Sequence, residues 1–298
     1  MPTPPISAGE RSSDRPALGI GLMVLALFLL ATMDAIAKHL TESLATPQIL
    51  AIRFWIFFLF ASVLAGRQGF GRTLRTPRLG LQLLRALILA IEMSAFIYAF
   101  SLMPLAEVHA IAAVSPLLVM ALAAAFLGET IGPRRWAAVG VGFIGVLIII
   151  RPGSGVFDPI SLIPLAAAGG WAVYQIMLRI VARTDSAATT TWFTAAVGLV
   201  CFTSIAPFLW RDPTVEAWLL LGVIGVLGSI GHFLLPTAYS LAPASTLQPF
   251  AFTMPIWAAV LGWLVFDHIP DKWTLIGGGV VIASGLYALW RERISRSQ

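Results

Sequence analysis

Long apolar runs alternate along the chain with short breaks in which proline, glycine and charge cluster. The pattern predicts ten helical spans at residues 18–36, 49–65, 81–102, 108–127, 136–150, 160–178, 189–208, 217–239, 247–265 and 273–290. About 20 apolar residues cross the hydrocarbon core of a bilayer, so ten spans use roughly 200 residues and leave short connectors. The first span could be taken for a secretory leader, because Arg11 and Arg15 precede it and Ala35-Ile-Ala37 resembles a cleavage site. Asp34 just before that site, and nine further runs after it, favour a retained helix.

Composition agrees with the pattern. Of 298 residues, 58% are hydrophobic and 11% charged, whereas soluble domains carry about 25% charged residues. A soluble globule and a disordered chain are both excluded, and the fold class expected is an all-α membrane protein with ten transmembrane helices. The net charge of +5 sits in clusters between the apolar runs rather than on one basic face, so nucleic acid is not an expected partner. Cys201 is the single cysteine, which excludes an intrachain disulfide.

The distribution of Lys and Arg sets the orientation. With the N-terminus in the cytoplasm, thirteen of the 19 basic residues fall in inside segments. Lys38, Arg151, Arg211 and Lys272 fall outside, and Arg53 and Arg85 lie in or at the edge of spans. Both termini are therefore expected in the cytoplasm, in a multi-pass protein of the cell inner membrane.

The chain also repeats itself. Ser101-Leu-Met-Pro104 returns 139 residues later as Ser240-Leu-Ala-Pro243, and the same offset carries Pro116 onto Pro255. Arg134-Arg-Trp136 aligns with Asp271-Lys-Trp273, Gly140 and Gly142 with Gly277 and Gly279, and Asp34 and Lys38 with Gln175 and Arg179. Each copy holds five spans. An odd number forces the second copy to enter from the opposite face, the arrangement of inverted-repeat secondary transporters. The expected organisation is a tail at 1–16, a first repeat at 17–151, a connector at 152–159, a second repeat at 160–290 and a tail at 291–298.

Leu102-Met-Pro-Leu-Ala-Glu107, Pro116, Leu127-Gly-Glu129, Arg134-Arg-Trp136 and Val141-Gly-Phe-Ile-Gly-Val-Leu147, through Arg151-Pro-Gly153, together resemble the EamA-type branch of the drug/metabolite transporter superfamily. The resemblance covers about residues 17–290. It implies two EamA repeats and proton-linked or exchange movement of small organic metabolites. Transporters of riboflavin, S-adenosylmethionine, amino acids and sugars belong to the same group.

Ionisable groups inside a membrane each need a partner or a watery cavity. Asp34 and Lys38, at i and i+4, share a helical face; they form either a cavity-lining acid or a self-neutralising pair. Arg53 has no basic counterpart in the seventh span and faces either an acidic substrate group or Glu92 or Asp34. Arg85 opens the third span, where snorkelling to the cytoplasm makes it an anchor. Glu92, flanked by apolar residues in mid-span, is a candidate proton carrier or the permanent partner of an arginine. Glu107 and His109 precede Pro116 as Thr246 and Gln248 precede Pro255. Each proline removes a helical donor and bends or opens the helix. His232 is a further candidate for the path. Trp171, Tyr174, Gln175 and Tyr98 offer stacking and hydrogen bonds to a planar ligand.

Gly222, Gly225, Gly228 and Gly231 recur every third residue and read as a packing stripe. Gly140-Val-Gly-Phe-Ile-Gly145 matches a dinucleotide fingerprint but lies within one apolar helix, so it too reads as packing.

No catalytic grouping, metal-ligand spacing or Walker motif stands out, so neither a cofactor nor direct use of ATP is expected. An intramembrane enzyme built on Glu92, Glu107 and the histidines is the distant alternative. The leading expectation is a gradient-coupled or exchanging secondary transporter for a vitamin or nucleoside-like metabolite such as riboflavin or S-adenosylmethionine; export of amino acids or related metabolites is the alternative. Expected partners are the small-molecule substrate and membrane lipid, with a second copy of the chain as a candidate.

Overall fold

A computed structural model of the chain describes residues 16–127, 132–151, 158–181, 184–242 and 244–296, and every regular element among them is helical. All but the last residue of the tail expected at 1–16, and most of the connector expected at 152–159, lie outside the described residues. The helices are α1 (Pro16–Leu40), α2 (Thr46–Gln68), α3 (Phe70–Thr73), α4 (Leu79–Leu102), α5 (Leu105–Ala112), α6 (Ser115–Leu127), α7 (Pro133–Ile150), α8 (Leu162–Val181), α9 (Ala187–Ile205), α10 (Val215–Leu241), α11 (Ala244–Ala251), α12 (Thr253–Phe266) and α13 (Lys272–Arg296). Among the described residues ten helical segments are long and apolar enough to cross a membrane; α5 with α6 makes one, and the end of α11 with α12 another. Leu59, Ile91, Phe126, Leu219 and Leu264 stay exposed on the outside of the bundle, as a hydrocarbon-facing surface requires.

Ten crossings return the chain to the face on which α1 begins. That face is called terminal below, and the other distal.

Helix packing reproduces the sequence repeat. The contact of α1 with α10 is mirrored by α8 with α4, α2 with α10 by α9 with α4, and α1 with α12 by α8 with α6. The pairs α2 with α9 and α7 with α13 map onto themselves. Exchanging the two halves therefore maps these principal contacts onto one another, which defines a pseudo-dyad through the bundle. On that axis α7 and α13 touch backbone to backbone: a Cβ on Gly145 would lie 2.8 Å from the Gly277 carbonyl oxygen. The apparent dinucleotide fingerprint is thus part of a helix crossing.

The two crossings that carry the repeat-related prolines Pro116 and Pro255 are interrupted. α5 stops at Ala112 and α6 begins at Ser115, and α11 stops at Ala251 and α12 begins at Thr253, which leaves Pro116 and Pro255 in first turns where their missing N–H costs least. The Ala112 carbonyl, which an N–H at position 116 would have engaged, accepts from Ser115 Oγ at 2.7 Å. In the second copy Thr253 Oγ1 donates to the Phe250 carbonyl at 2.7 Å.

α1 runs four residues past the predicted end because Lys38 finds partners elsewhere. Its ammonium donates to the carbonyls of Phe100 (2.5 Å) and Met103 (2.9 Å) at the C-terminal end of α4, where a positive charge meets the negative end of the helix dipole.

Candidate functional site

Asp34, Arg53, Glu92, His109 and His232 come from α1, α2, α4, α5 and α10 and meet inside the bundle. Asp34 Oδ2 lies 3.3 Å from His109 Nε2, and Arg53 Nη2 lies 3.4 Å from His232 Nε2. Arg53 is within electrostatic reach of both Asp34 and Glu92. Arg53, Glu92 and His109 are buried, whereas the Asp34 side chain keeps 14% of its surface exposed. Phe96 and Phe100 pack their rings 6.2 and 5.6 Å from that of His109, and Phe57 lies 6.0 Å from His232. Two carboxylates against one guanidinium leave this cluster one negative charge in excess when both imidazoles are neutral. One proton, or one cationic ligand group, balances it.

Close helix approach makes room for Arg53. A Cβ on Gly228 would come within 2.9 Å of Met33 Sδ and 3.4 Å of Arg53 Nε. In the same stripe Gly225 faces Ile56 and Gly231 faces Leu30, while Gly222 has nothing within 4 Å. Three of the four glycines thus serve the packing of α10 on α1 and α2.

A second polar network lies nearer the terminal face, and sequence reasoning missed its centre. Arg85 does not snorkel: it is fully buried. Its Nη2 donates to Gln82 Oε1, the Thr190 carbonyl and Thr194 Oγ1, each at 2.9 Å, and its guanidinium carbon sits 5.2 Å from the Tyr174 ring centroid. The signal was available, because Gln82, Arg85 and Glu92 fall on one face of a helix whose opposite face is leucine and isoleucine. Arg53 at the α2–α10 contact and Arg85 at the equivalent α9–α4 contact give each pseudo-dyad-related interface one buried arginine.

The remaining candidates separate. Trp171 and Tyr174 stack on α8 with centroids 5.3 Å apart and planes at 27°, and Gln175 beside them is half-buried. Tyr98 does not join them. It is 52% exposed, in line with Leu84, Leu87, Ile91 and Leu102 on the outer face of α4, because six residues turn it about 120° around that helix from Glu92. Glu107 points away from His109 and has Asp271, His268 and Arg151 as its charged neighbours at the distal rim. There Arg151 Nη2 donates to Asp271 Oδ2 at 2.8 Å. Partial burial pushes the Asp271 carboxyl up, but the Thr274 N–H and Arg151 outweigh it and hold the group below its ordinary value. The side chain of Gln248 lies outside the described residues. Among the described residues no group of three His, Cys, Asp or Glu is placed to hold a metal ion.

Matched hydrogen bonds join the two halves at each end. On the distal face Gln48 Nε2 donates to the Arg211 carbonyl (2.7 Å), its Oε1 accepts from the Arg211 N–H (3.0 Å), and Arg211 Nη1 donates to the Ser43 carbonyl (3.3 Å). On the terminal face Asp185 Oδ2 accepts from Thr76 Oγ1 (2.6 Å) and Gln82 Nε2 (2.7 Å), and Arg78 Nη1 donates to the Ile180 carbonyl (3.1 Å). Each latch joins a first-to-second-helix loop of one half to a second-to-third-helix connection of the other.

Known proteins share this architecture. The model of the EamA-like transporter family matches residues 17–151 and again 159–290. The riboflavin transporter of Brucella anthropi is 32% identical over 284 residues, 91% of this chain and 98% of its own. The S-adenosylmethionine uptake transporter of Rickettsia bellii is 29% identical over 283 residues, covering 95% and 97%. The pseudopaline exporter of Pseudomonas aeruginosa is 29% identical, covering 92% and 96%. A solved crystal structure, 21% identical, superposes with a TM-score of 0.64 over 93% of this chain and 99% of its own, a likeness of fold.

Proposed function

The chain belongs to the EamA-like transporter family, and from that premise we propose that it carries a planar, partly polar metabolite across the cell inner membrane by alternating access, leaving it chemically unchanged. The observation that carries this reading is the buried cluster of Asp34, Arg53, Glu92, His109 and His232, drawn from five helices and both halves. Buried ionisable groups in a membrane bundle mark substrate and ion paths, and an acid-rich cluster suits proton coupling. The break upstream of Pro116, with the one upstream of Pro255, supplies the flexible points at which each half bends.

The terminal face is cytoplasmic in this reading, supported by the excess of arginine in the connections on that side. The interior of the bundle between the halves holds the substrate, lipid covers the exposed leucines and isoleucines, and a second copy of the chain is a candidate partner. The stacked Trp171 and Tyr174 favour a vitamin or nucleoside-like substrate, with riboflavin and S-adenosylmethionine the first compounds to try, as the transporters of Brucella anthropi and Rickettsia bellii suggest. Similarity to the pseudopaline exporter supports a second reading, export of an amino-acid-like metabolite.

The test is reconstitution in liposomes with an imposed pH gradient, with labelled S-adenosylmethionine and riboflavin supplied separately. Gradient-dependent accumulation of an unaltered compound supports the proposal. A chemically altered compound argues for an enzyme, and release from preloaded vesicles without uptake argues for the exporter.

A further inference from the structure

Arg85 is a buried cation without a buried anion in contact. Among the described residues no carboxylate lies within ion-pair distance of it, and its Nη1, with two N–H donors, has no hydrogen-bond partner. Its other contacts are dipoles and a neutral phenol: the Gln82 amide oxygen, the Thr190 carbonyl, the Thr194 hydroxyl and the Tyr174 side chain. Asp185 makes no ion-pair contact with it: it is bridged to Arg85 by the amide of Gln82 and acts on the guanidinium from a distance, and Asp185 Oδ1 is itself unpartnered. Burying a charge in this way is costly unless geometry and hydrogen bonds satisfy it fully, and an apolar side chain would join α4 to α9 without that cost.

We propose that Arg85 is a second ligand-binding group, which takes a carboxylate on the substrate through its free Nη1 once the terminal face opens. The inference rests on the transport reading above and narrows its substrate class to planar heteroaromatic compounds that carry an acidic group.

Three placements support it. Tyr174, under the guanidinium, is stacked on Trp171, so an aromatic platform adjoins the cation. Glu92 lies seven residues along the same face of α4, about 10 Å up the helix at 1.5 Å per residue, and provides an anion for a positive group on the same ligand. The bonds of Asp185 to Thr76 and Gln82 close the terminal face over Arg85. Freeing Gln82 from Asp185 loosens one neighbour of the guanidinium at the step that admits water and ligand, which couples binding at Arg85 to opening.

The experiment compares S-adenosylmethionine with its decarboxylated analogue, which differ by one carboxylate, and riboflavin, which has none, in proteoliposomes of the full chain. The wild type is expected to take up the carboxylate-bearing compound with roughly 10- to 100-fold higher apparent affinity than the decarboxylated one, the value of a hydrogen bond to a charged group. Arg85→Gln is expected to erase that preference, and Arg85→Lys to restore part of it, with folding of each variant checked by gel filtration and helical circular dichroism. The preference is read on the wild type, so a variant that fails to fold leaves the comparison intact. Equal affinity for the two adenosyl compounds, or uptake of riboflavin alone, overturns the carboxylate assignment and leaves transport standing. Uptake of none of the three overturns this assignment together with the substrate class on which it rests.

Discussion

Asp34 Oδ2 stands 3.3 Å from His109 Nε2, an acid from the first helix against an imidazole just ahead of the interrupted fourth crossing. The alignment is too poor to count as a hydrogen bond, and His109 Nε2 is otherwise without a partner. The contact ties α1 to α5 beside the break at Ala112.

Asp34→Asn and Glu92→Gln each remove one negative charge from the central cluster and preserve its shape. Initial uptake rates in proteoliposomes under a pH gradient should fall by about 10-fold or more, in line with loss of an interaction with a charged group. Protein yield and melting temperature should change little. Full activity in both variants removes them from the proton path.

Gly228 and Gly222 make a matched pair. Gly228→Ala inserts a methyl against Met33 and Arg53, and overpacking of this kind costs about 1–3 kcal/mol. Gly222→Ala meets nothing within 4 Å and should leave both the melting temperature and uptake unchanged. Equal effects from the two substitutions contradict the placement of Arg53 against α10.

Asp185→Asn weakens the terminal-face latch. With Cys201 replaced by serine and a reporter cysteine at Thr190, labelling by an impermeant thiol reagent from that face should rise several-fold, as loss of about 1 kcal/mol in a hydrogen bond implies. Gln48→Leu should lower it by favouring the distal opening. No change in either variant shows that these bonds do not hold the ends shut.

The distal pair Arg151–Asp271 predicts a pH dependence. The Asp271 carboxyl is held below its ordinary value, so the contribution of the pair is present above the ordinary carboxylate value of about 3.9 and is lost as pH falls below it through the depressed one. Both side chains are partly exposed, so the effect is small. Differential scanning calorimetry should find Asp271→Asn slightly less stable than wild type at pH 7, with the gap shrinking as the pH is lowered below about 3.9.

Much of the fold was legible in the sequence, because a bilayer imposes long apolar helices and a duplicated chain shows its period. The 139-residue offset between Ser101 and Ser240 separates equivalent helix ends at Leu102 and Leu241. Less of the candidate site was legible. Asp34, Arg53, Glu92, His109 and His232 announced themselves as charges or imidazoles in apolar runs, yet their partners depend on helix rotation. Lys38 looked like the mate of Asp34 at i+4, but its long side chain instead reaches the carbonyl end of α4. Tyr98 has the right chemistry on the wrong face. Arg85 lay close enough to a helix start to be assigned to water; it shares a helix face with Gln82 and Glu92, and the approach of Thr190 and Thr194 from α9 encloses it.

Alternation between the two latches is the central claim, and paired distance measurements test it most directly. Spin labels at exposed Glu42 and Asp212 report the distal end, and labels at Arg75 and Ala187 the terminal end. Double electron–electron resonance across pH, and with and without S-adenosylmethionine or riboflavin, should show one distance lengthening as the other shortens. Both ends opening together, or neither moving under any condition, would contradict the account.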